Sequence, residues 1–379
     1  MRRAFVVVLD ACGAGALPDA AAYGDEHANT LANVADLAGG LSLPALERLG
    51  LGSIQPLAGV APAAAPVVHG RLHALGPGKD TVCGHWELMG VVTPTALPTY
   101  PRGFPDAQLA ELRALWKRDV IGNEAANGVE IVDRLGAEHL RTGALIVYTS
   151  ADSVLQVAAH EDVVAEDDLH ALCAAARERI DVGRVIARPF RGEPGAFART
   201  SGRRDYALIP PARSYLQEIS ESGIPVHAVG KVNDVFAGTG ITHCHAGADN
   251  ATALAEVTRL ITGLGSGLVF ANLVDTDQAF GHRKDVEGFA RALREIDVAV
   301  AGWLGRLDPE RDLLVLTADH GVDPLHPGSD HTREHVPLLA AFAGHGGRRH
   351  DGPMADVGAS CLRWLTGRDA QLPGESFLP

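Results

Sequence analysis

A short, turn-prone stretch, GKDTVCGHWELMG at residues 78–90, brings together a threonine, a cysteine, a histidine and several charged side chains. The hydroxyl of Thr81 is a weak nucleophile unless a divalent ion lowers its pKa, whereas the thiol of Cys83 is intrinsically more reactive. Hard divalent ions and phosphate favour oxygen over sulfur. We therefore interpret Thr81 as the candidate nucleophile and Cys83 as a small packing residue, with a thiol mechanism as the alternative.

Aspartate and histidine side chains at distant positions have the types and spacing of metal ligands. They lie in LVDTDQAFGH, TADHG and GSDHTREH and at the end of the first apolar run: Asp10, Asp277, His282, Asp319, His320 and His331. Three carboxylates and three imidazoles can hold two divalent ions such as manganese or zinc, whereas an all-oxygen set would suit magnesium. Two such ions can clamp the attacking and leaving oxygens of a phosphoryl or sulfuryl transfer. Asp275 is either a further ligand or a hydrogen-bond partner of one.

Short apolar runs precede most of these side chains. FVVVLD ends at Asp10, ALIVYTSAD at Asp152, PVHAVGK at Lys231, LVFANLVDTD at Asp277, and LLVLTADH at His320. Continuous hydrophobicity is typical of strands that are covered on both faces, as in the parallel sheets of α/β proteins. Such sheets bind ligands at the carboxyl ends of their strands, so we expect these polar side chains to meet there.

Helical patterns lie between the runs. Apolar residues at spacings of three or four predict one helix with the stripe Phe289, Leu293, Ile296, Val300 and Leu304, and a second with Leu109, Leu112 and Leu115 or Trp116. From about Pro98 to Pro211 the composition changes, with proline and glycine breaks and many arginines. We predict an α/β fold with a mainly parallel sheet flanked by helices, formed by residues 1–97 and 210–379, and an inserted domain at residues 98–209.

Composition narrows the classes of function. A formal net charge of −14 argues against binding to nucleic acid or to anionic membranes, because the electrostatic term would be repulsive. The apolar run at residues 4–9 is shorter than the core of a signal peptide, which is about 7 to 15 residues long, and no segment reaches the roughly 18 apolar residues of a membrane span. Five scattered cysteines suit a reducing compartment. We expect a cytoplasmic enzyme and predict no protein partner.

Several motifs together make the chain resemble the phosphopentomutase family of the alkaline phosphatase superfamily. They are KDTVCGHWELMG, YTSADSVLQVAAHE, GRVIARPFRGEPGAF, NLVDTDQAFGHR, TADHG and HPGSDHTRE. The resemblance runs from the first strand to the C-terminus. It implies an alkaline phosphatase-like core, an inserted α+β cap domain for substrate binding, and two manganese ions.

The resemblance also implies roles for individual residues. Thr81 corresponds to the phosphorylated threonine. One metal would be held by Asp10, Thr81, Asp319 and His320, and the other by Asp277, His282 and His331. Contacts to substrate would come from Asp152, His160, Arg184, Ile186, Arg199 and Lys231. The implied reaction interconverts ribose 1-phosphate, or its 2-deoxy form, with the 5-phosphate through a pentose bisphosphate, which would also activate the enzyme, in nucleoside salvage and catabolism.

The sequence departs from the family pattern at a few positions. Ala11 replaces a serine, Cys83 replaces a threonine and Val322 replaces an asparagine, and none of these changes removes a candidate ligand. The segment THCHAGADN at residues 242–250 matches none of the motifs named above, and it is either a soft-metal site or a surface turn.

Three alternative functions remain open at this stage: a two-metal phosphatase or phosphodiesterase, a cofactor-independent phosphoglycerate mutase, and a non-catalytic binding module.

Overall fold

The computed structural model describes residues 2–150, 153–344 and 346–379. The chain divides into two compact units. Met1–Ala96 and Pro210–Pro379 form one, which we call the core unit, and Leu97–Ile209 forms the other, which we call the inserted unit.

The elements of the core unit come from both ends of the chain, and those of the inserted unit come from the segment between them. Before the insertion lie β1 Arg3–Leu9, α1 Thr30–Leu37, α2 Pro44–Leu49, α3 Leu51–Ile54, β2 Val68–His73 and α4 Thr81–Leu88. The inserted unit has α5 Asp106–Trp116, β3 Val120–Ala125, α6 Gly128–Thr142, β4 Leu145–Thr149, β5 Val154–His160, α7 Glu166–Arg177, β6 Arg184–Arg191, β7 Ala198–Arg199 and β8 Arg204–Ala207. After the insertion lie α8 Tyr215–Glu221, β9 Val226–Val229, α9 Val232–Val235, β10 His243–His245, α10 Asn250–Gly263, β11 Gly267–Leu273, α11 Val286–Leu304, β12 Asp312–Thr317, β13 Val336–Ala341, β14 Gly352–Pro353 and α12 Asp356–Thr366.

The core unit is built on a mainly parallel sheet. In the described part of the chain its strand order is β10-β9-β11-β1-β12-β13-β2-β14. The strands from β10 to β12 are parallel neighbours, whereas β13 is antiparallel to both β12 and β2. Every residue of β1 is buried. The predicted α/β class with a mainly parallel, helix-flanked sheet is thus confirmed.

Helix α11 buries the apolar stripe that the sequence predicts over most of its length. Phe289, Leu293, Ile296 and Val300 are buried, but at the last turn Trp303 takes the buried position instead of Leu304. Asp297 on the same helix is also buried, because its carboxylate accepts the backbone N–H groups of Ala45 and Leu46 at the start of α2. These two hydrogen bonds satisfy N–H groups at the start of α2 that would otherwise lack partners.

The inserted unit has its own mixed sheet. Among the described residues its strand order is β3-β4-β5-β6-β7, and β8 also pairs with β6. One face packs against α5 and α7, with Leu109, Leu112 and Trp116 of α5 buried there. The other face packs partly against α6. The apolar run ALIVYT forms β4 of this sheet and not a strand of the core sheet.

No helix within the described ranges is both long and apolar enough to span a lipid bilayer.

Candidate active site

Four parallel strands of the core sheet deliver polar side chains to one edge. Asp10 directly follows β1, Lys231 follows β9 after one glycine, and Asp319 and His320 follow β12. Asp277 lies in a single π-helical turn after β11. Because carboxyl ends of parallel strands meet at the same edge, side chains far apart in sequence come within a few ångströms of one another.

One group of candidate ligands comprises Asp277, His282 and His331. Nε2 of His282 lies 3.3 Å from Oδ1 of Asp277, and Nε2 of His331 lies 3.4 Å from the same oxygen. The two imidazole nitrogens are 3.3 Å apart. Ligand atoms at these separations could share one divalent ion after small adjustments.

A second group surrounds the hydroxyl of Thr81. Nε2 of His320 lies 3.0 Å from Oγ1 of Thr81, 3.4 Å from Oδ1 of Asp10, and 3.3 Å from Oδ2 of Asp319. Asp277 belongs to both groups, since its carboxylate also lies within 4.8 Å of ligand atoms of Asp10 and His320. The structure therefore places Asp277 between the two groups. The family resemblance, in contrast, assigns Asp277 to one metal alone.

Several carboxylate oxygens in these groups have unsatisfied hydrogen-bonding capacity. Oδ1 of Asp10, Oδ1 of Asp277 and Oδ2 of Asp319 are buried and accept no hydrogen bond from the described residues. Buried unpaired carboxylate oxygens are costly, and coordination to a cation removes that cost. The donor set thus fits divalent metal ions.

Hydrogen bonds outside the two groups fix which ring nitrogen faces inward. Nδ1 of His282 lies 2.6 Å from the carbonyl oxygen of Ser329, and Nδ1 of His320 lies 3.1 Å from that of Gly321. A nitrogen that faces a carbonyl oxygen carries the proton, so Nε2 of each ring keeps its lone pair for a metal. Similarly, Oδ1 of Asp319 accepts the N–H of Ala11 and leaves Oδ2 available.

The pKa values of these groups reflect several carboxylates that are buried close together. Burial and the nearby Asp319 raise the pKa of Asp10 well above its usual range, against the opposing effect of Lys231. Burial would also raise the pKa of Asp277, but His331 and His282 hold it well below its usual range. Burial lowers the pKa of His320 to about 4, so this ring is neutral, as a metal ligand must be.

Thr81 is the first residue of α4. The carboxylate of Asp80 caps this helix by accepting the N–H groups of Val82 and Cys83, at 2.9 and 3.1 Å. Gly84 allows the helix to approach the turn after β12, because a Cβ there would collide with the backbone of Asp319. Hence the first turn of α4 is held against the turn after β12, which supplies the candidate ligands Asp319 and His320.

Cys83 lies next to this hydroxyl in sequence but in a different environment. Its side chain is buried, and Sγ lies 3.8 Å from Oγ1 of Thr93. Burial, followed by the charge of Asp80, raises the pKa of the thiol well above its usual value. A thiol held protonated is a poor nucleophile, which supports the interpretation of Cys83 as a packing residue.

Two further side chains connect the candidate ligands. Nδ1 of His85 lies 2.9 Å from the carbonyl oxygen of Thr81 and 3.1 Å from Oδ2 of Asp319. The amide of Asn272 donates to Nε2 of His85 and to Oδ2 of Asp10, each at 3.1 Å. Sequence analysis missed Asn272, although a polar residue inside the apolar run of β11 was a signal for it.

Glu87 and Asp275 have structural contacts. Glu87 accepts the backbone N–H groups of Leu75 and Gly76 and so anchors the loop before α4. Asp275 accepts the N–H of Asn250 at the start of α10, at 3.0 Å. These contacts are with the start of α10 and not with a candidate ligand, so they support neither of the two roles that the sequence leaves open for Asp275.

Lys231 reaches the Thr81 hydroxyl from β9. Its Nζ donates to Oγ1 of Thr81 at 3.2 Å and forms an ion pair with Asp10. Burial would lower the pKa of Lys231, but Asp10, Asp319 and Asp277 raise it above its usual value. Lys231 therefore carries a positive charge beside the candidate nucleophile.

The other predicted substrate contacts are in the inserted unit. Arg184 and Ile186 lie two residues apart on β6, so they project from the same face of the strand, and Arg199 is on β7. Asp152 lies outside the described residues. Arg188 continues the same face and donates to Oε1 of Gln156 at 2.9 Å. Sequence analysis missed Arg188, although the alternation in RVIAR was a signal for it.

Arginines crowd this face of the inserted sheet. Burial, then the charges of Arg203 and Arg199, lower the pKa of Arg188 to about 10. The hydroxyl of Tyr148 is buried next to these arginines and has no hydrogen-bond partner among the described residues. Such an excess of positive charge suits an anionic ligand.

His160 differs from the other predicted contacts. It is buried, Nε2 lies 3.0 Å from the carbonyl oxygen of Gly192, and Nδ1 accepts the N–H of Asp162 at 3.1 Å. Its ring also packs edge-on against Phe190 and Phe197. Both ring nitrogens are thus engaged within the protein, although His160 pairs with Phe190 and therefore lies on the same face of the sheet as Arg188.

Residues 2–366 match the metalloenzyme superfamily model. The chain is 51% identical over 384 residues to a phosphopentomutase of Anaeromyxobacter sp. strain K, covering all of this chain and 98% of that protein. It is 47% identical over 386 residues to a phosphopentomutase of Desulfitobacterium hafniense strain DSM 10664 / DCB-2, covering all of this chain and 99% of that protein.

A solved structure shows the same fold at lower identity. Phosphoglycerate mutase of Leishmania mexicana superposes with a TM-score of 0.51 at 13% sequence identity, covering 99% of this chain and 97% of that one. At this identity the likeness concerns the fold alone. The near-full-length similarity to the two bacterial proteins confirms the resemblance seen in the motifs: the chain belongs to the phosphopentomutase family, isomerases of the metalloenzyme superfamily.

Proposed function

We propose that the chain interconverts ribose 1-phosphate and ribose 5-phosphate, and the corresponding 2-deoxyribose phosphates, through a phosphothreonine at Thr81. The observation that carries the proposal is the position of Oγ1 of Thr81. It lies 3.0 Å from Nε2 of His320 and 3.2 Å from Nζ of Lys231, beside buried carboxylate oxygens that accept no hydrogen bond from the described residues.

Two manganese ions would occupy the two groups of candidate ligands. Their proposed ligands are Asp10, Thr81, Asp319 and His320 for one ion, and Asp277, His282 and His331 for the other, with Asp277 placed between the groups. When bound, such ions supply charge neutralisation for the phosphoryl group and lower the pKa of the threonine hydroxyl. In support, these carboxylates carry more negative charge than Lys231 offsets.

The reaction begins from the phosphorylated enzyme. The bond between phosphorus and Oγ1 of Thr81 breaks as a bond from phosphorus to the free terminal hydroxyl of the pentose phosphate forms, and the proton of that hydroxyl passes to the departing Oγ1. Lys231 donates a hydrogen bond to the departing Oγ1 and stabilises its charge. The resulting pentose bisphosphate then reorients and returns its other phosphoryl group to Thr81. A sugar bisphosphate can therefore also charge the resting enzyme.

The inserted unit is proposed to bind the substrate. A doubly charged sugar phosphate needs local cations on a chain with a net charge of −14, and the planar guanidinium group suits phosphate. Arg184, Arg199 and Ile186 are the proposed contacts there, together with Asp152, whose carboxylate would accept hydrogen bonds from ribose hydroxyls. Lys231 contributes from the core unit. For His160 we propose a positioning role, because both its ring nitrogens are already bonded.

We further propose that this reaction serves nucleoside salvage and catabolism in the cytoplasm. Five unpaired cysteines, only one of them exposed, are compatible with a reducing compartment.

The test supplies ribose 1-phosphate, manganese and a catalytic amount of a sugar bisphosphate, and it follows ribose 5-phosphate and inorganic phosphate together. Wild type should form the isomer faster than it releases phosphate, and intact-mass measurement should show one added phosphoryl group, located at Thr81. Thr81→Ala should abolish both the formation of isomer and the added phosphoryl group, while Cys83→Ala should retain both.

Two outcomes would overturn the proposal. Release of inorganic phosphate faster than formation of the isomer would indicate a phosphatase. Activity that survives in Thr81→Ala but is lost in Cys83→Ala would move the nucleophile to the thiol.

A further inference from the structure

Two charged residues lie next to the candidate active site in sequence but are neither candidate ligands nor the candidate nucleophile. Lys79 precedes Thr81 by two residues, and Arg333 follows His331 by two residues. Both contact Asp25, which lies in the segment between β1 and α1. We call Asp25, Lys79 and Arg333 the Asp25 cluster.

One oxygen of Asp25 bonds to both segments. Oδ2 accepts a hydrogen bond from Nζ of Lys79 at 3.0 Å and another from the backbone N–H of Arg333 at 2.9 Å. The carboxylate is fully buried, and the side chain of Lys79 is 20% exposed. Hydrogen bonds to a charged group are stronger away from water than at the surface. Asp25 therefore ties the segment before Thr81 to the segment after His331.

The guanidinium of Arg333 makes a second link between the same segments. Its Nη1 donates to the carbonyl oxygen of Gly78 at 2.6 Å, while Nε and Nη2 donate to the two oxygens of Asp19 at 3.1 and 3.0 Å. The ring of Tyr23 lies 5.3 Å from Cζ of Arg333, and the Tyr23 hydroxyl donates to the carbonyl oxygen of Pro77 at 2.7 Å. All three guanidinium nitrogens are thus bonded within the protein, which suits a positioning role better than contact with a substrate.

The two linked segments carry groups whose separation matters for the proposed reaction. Asp80, the neighbour of Lys79, caps the helix that begins at Thr81, so a shift of Lys79 would carry the hydroxyl with it. In the other segment, Nε2 of His331 lies 3.4 Å from Oδ1 of Asp277. A misplacement of about 1 Å can lower a reaction rate by about 100-fold.

We propose that Asp25 is a positioning residue that holds the hydroxyl of Thr81 at a fixed distance from His331. The proposal rests on the function proposed above, because Asp25 acts through Thr81. Loss of its carboxylate slows phosphoryl transfer to and from Thr81 but leaves substrate binding unchanged, since none of the proposed substrate contacts belongs to the Asp25 cluster.

The test compares Asp25→Ala with a matched control, Asp297→Ala. Each substitution removes a buried carboxylate that accepts two hydrogen bonds, but those of Asp297 come from the start of α2 and not from the candidate site. The assay supplies ribose 1-phosphate, manganese and a catalytic amount of sugar bisphosphate. Asp25→Ala should lower kcat by about 10- to 100-fold at an unchanged KM, and Asp297→Ala should leave both constants at their wild-type values.

Two further variants test the two hydrogen bonds separately. Asp25→Asn should recover part of the lost rate, because its amide oxygen can still accept the N–H of Arg333 while its amide nitrogen faces Nε2 of His326, which lies 3.2 Å from Oδ1 in wild type. Lys79→Met removes only the other bond and should lower kcat by about 10-fold at an unchanged KM. The double variant Asp25→Ala, Lys79→Met should be no slower than Asp25→Ala alone, since residues that act through one contact are not additive.

Hydrogen–deuterium exchange of the metal-free protein tests the link without an activity assay. Backbone N–H groups of residues 78–81 and 331–333 should exchange faster in Asp25→Ala than in wild type, and at the wild-type rate in Asp297→Ala. Exchange at the wild-type rate in both variants would overturn the proposal.

Two kinetic outcomes would also overturn the proposal: a wild-type kcat in Asp25→Ala and Lys79→Met, or an equal loss of kcat in Asp25→Ala and Asp297→Ala. A wild type that takes up no phosphoryl group from the sugar bisphosphate, as judged by intact mass, would instead overturn the function proposed for Thr81. The exchange measurement would then decide on its own whether Asp25 holds the two segments together.

Discussion

Nζ of Lys231 lies 3.2 Å from Oγ1 of Thr81, and the same ammonium group forms an ion pair with Asp10. One cation therefore contacts both the proposed nucleophile and a candidate metal ligand. In the proposed reaction the first contact would favour phosphoryl transfer, whereas the second would compete with metal ions for the same carboxylate. Substitution at this position should separate the two effects.

Lys231→Met should lower kcat by about 100- to 1000-fold at saturating manganese, because a charged donor to the departing oxygen is lost. Its affinity for manganese should not fall, since the competing cation is gone. Steady-state kinetics measure kcat, and a manganese titration measures the affinity for manganese. Lys231→Arg should fall between wild type and Lys231→Met in kcat. Weaker manganese binding by Lys231→Met would show that Lys231 orders the carboxylates instead.

Asn272→Leu should weaken manganese binding by about 10- to 100-fold, as expected when an outer partner of a ligand is removed. The substitution introduces an apolar side chain of similar size in β11 and removes the donors to Asp10 and to His85. Calorimetric titration of the metal-free protein with manganese measures the affinity. Thermal unfolding of the metal-free variant is the control. An unchanged affinity would contradict the assignment of Asn272 as an outer partner.

Glu334→Gln should change how stability depends on pH. Burial raises the pKa of Glu334 to about 7, although its carboxylate accepts bonds from Thr30, Thr332 and Gly15. Because the folded-state pKa lies above that of the unfolded chain, this group stabilises the fold fully below about pH 4.5. The contribution is lost as pH rises through about 7, by up to about 3 kcal/mol.

Glutamine can keep the same partners, with its oxygen toward the two backbone N–H groups and its amide nitrogen toward the hydroxyls. The free energy of unfolding of metal-free Glu334→Gln should therefore rise relative to wild type from about pH 5 to about pH 8. Denaturant titrations at several pH values measure the difference. Glu87, whose pKa burial also raises to about 7, is present in both proteins. Parallel pH profiles would show that Glu334 does not titrate in this range.

Gly128→Ala should raise KM for the pentose phosphate more than it lowers kcat. A Cβ at this first residue of α6 would collide with the hydroxyl of Tyr148 and with the guanidinium of Arg199, so the arginine must move. Gly263→Ala is the matched control, because a Cβ at that helical glycine meets nothing within 4 Å. Initial-rate kinetics over a range of substrate concentrations measure both constants. An unchanged KM would argue against Arg199 as a substrate contact.

Local sequence patterns predicted where the strands lie better than they predicted which strands pair with one another. The runs that end at Asp10, Lys231 and His320 are parallel neighbours or near neighbours in one sheet, because continuous hydrophobicity reports burial on both faces. The run ALIVYT has the same appearance but belongs to the inserted sheet. Hydrophobicity alone does not specify the sheet that a strand joins, since that depends on contacts made after collapse.

The candidate metal ligands also show that local sequence patterns do not predict which residues meet in the fold. Motifs identified the candidate ligands one by one, but the position of Asp277 between the two groups follows from the turn after β11. Asn272 reaches Asp10 because the register pairs Val8 with Asn272 across β1 and β11. Likewise, the contact of His227 with the histidines of β10 depends on the pairing of β9 with β10. Register between distant segments is not encoded in local spacing.

The central position of β1 has a consequence for the newly made chain. Its partners on either side, β11 and β12, come from the last third of the sequence. At about 5–20 residues per second, synthesis of those strands follows that of β1 only after a time on the order of tens of seconds. The inserted unit is complete by Ile209 and can collapse during this interval. The FVVVL strand, one of the most apolar in the chain, must therefore remain unpaired until the ribosome has nearly finished, and during that time it is exposed to chaperones and to aggregation.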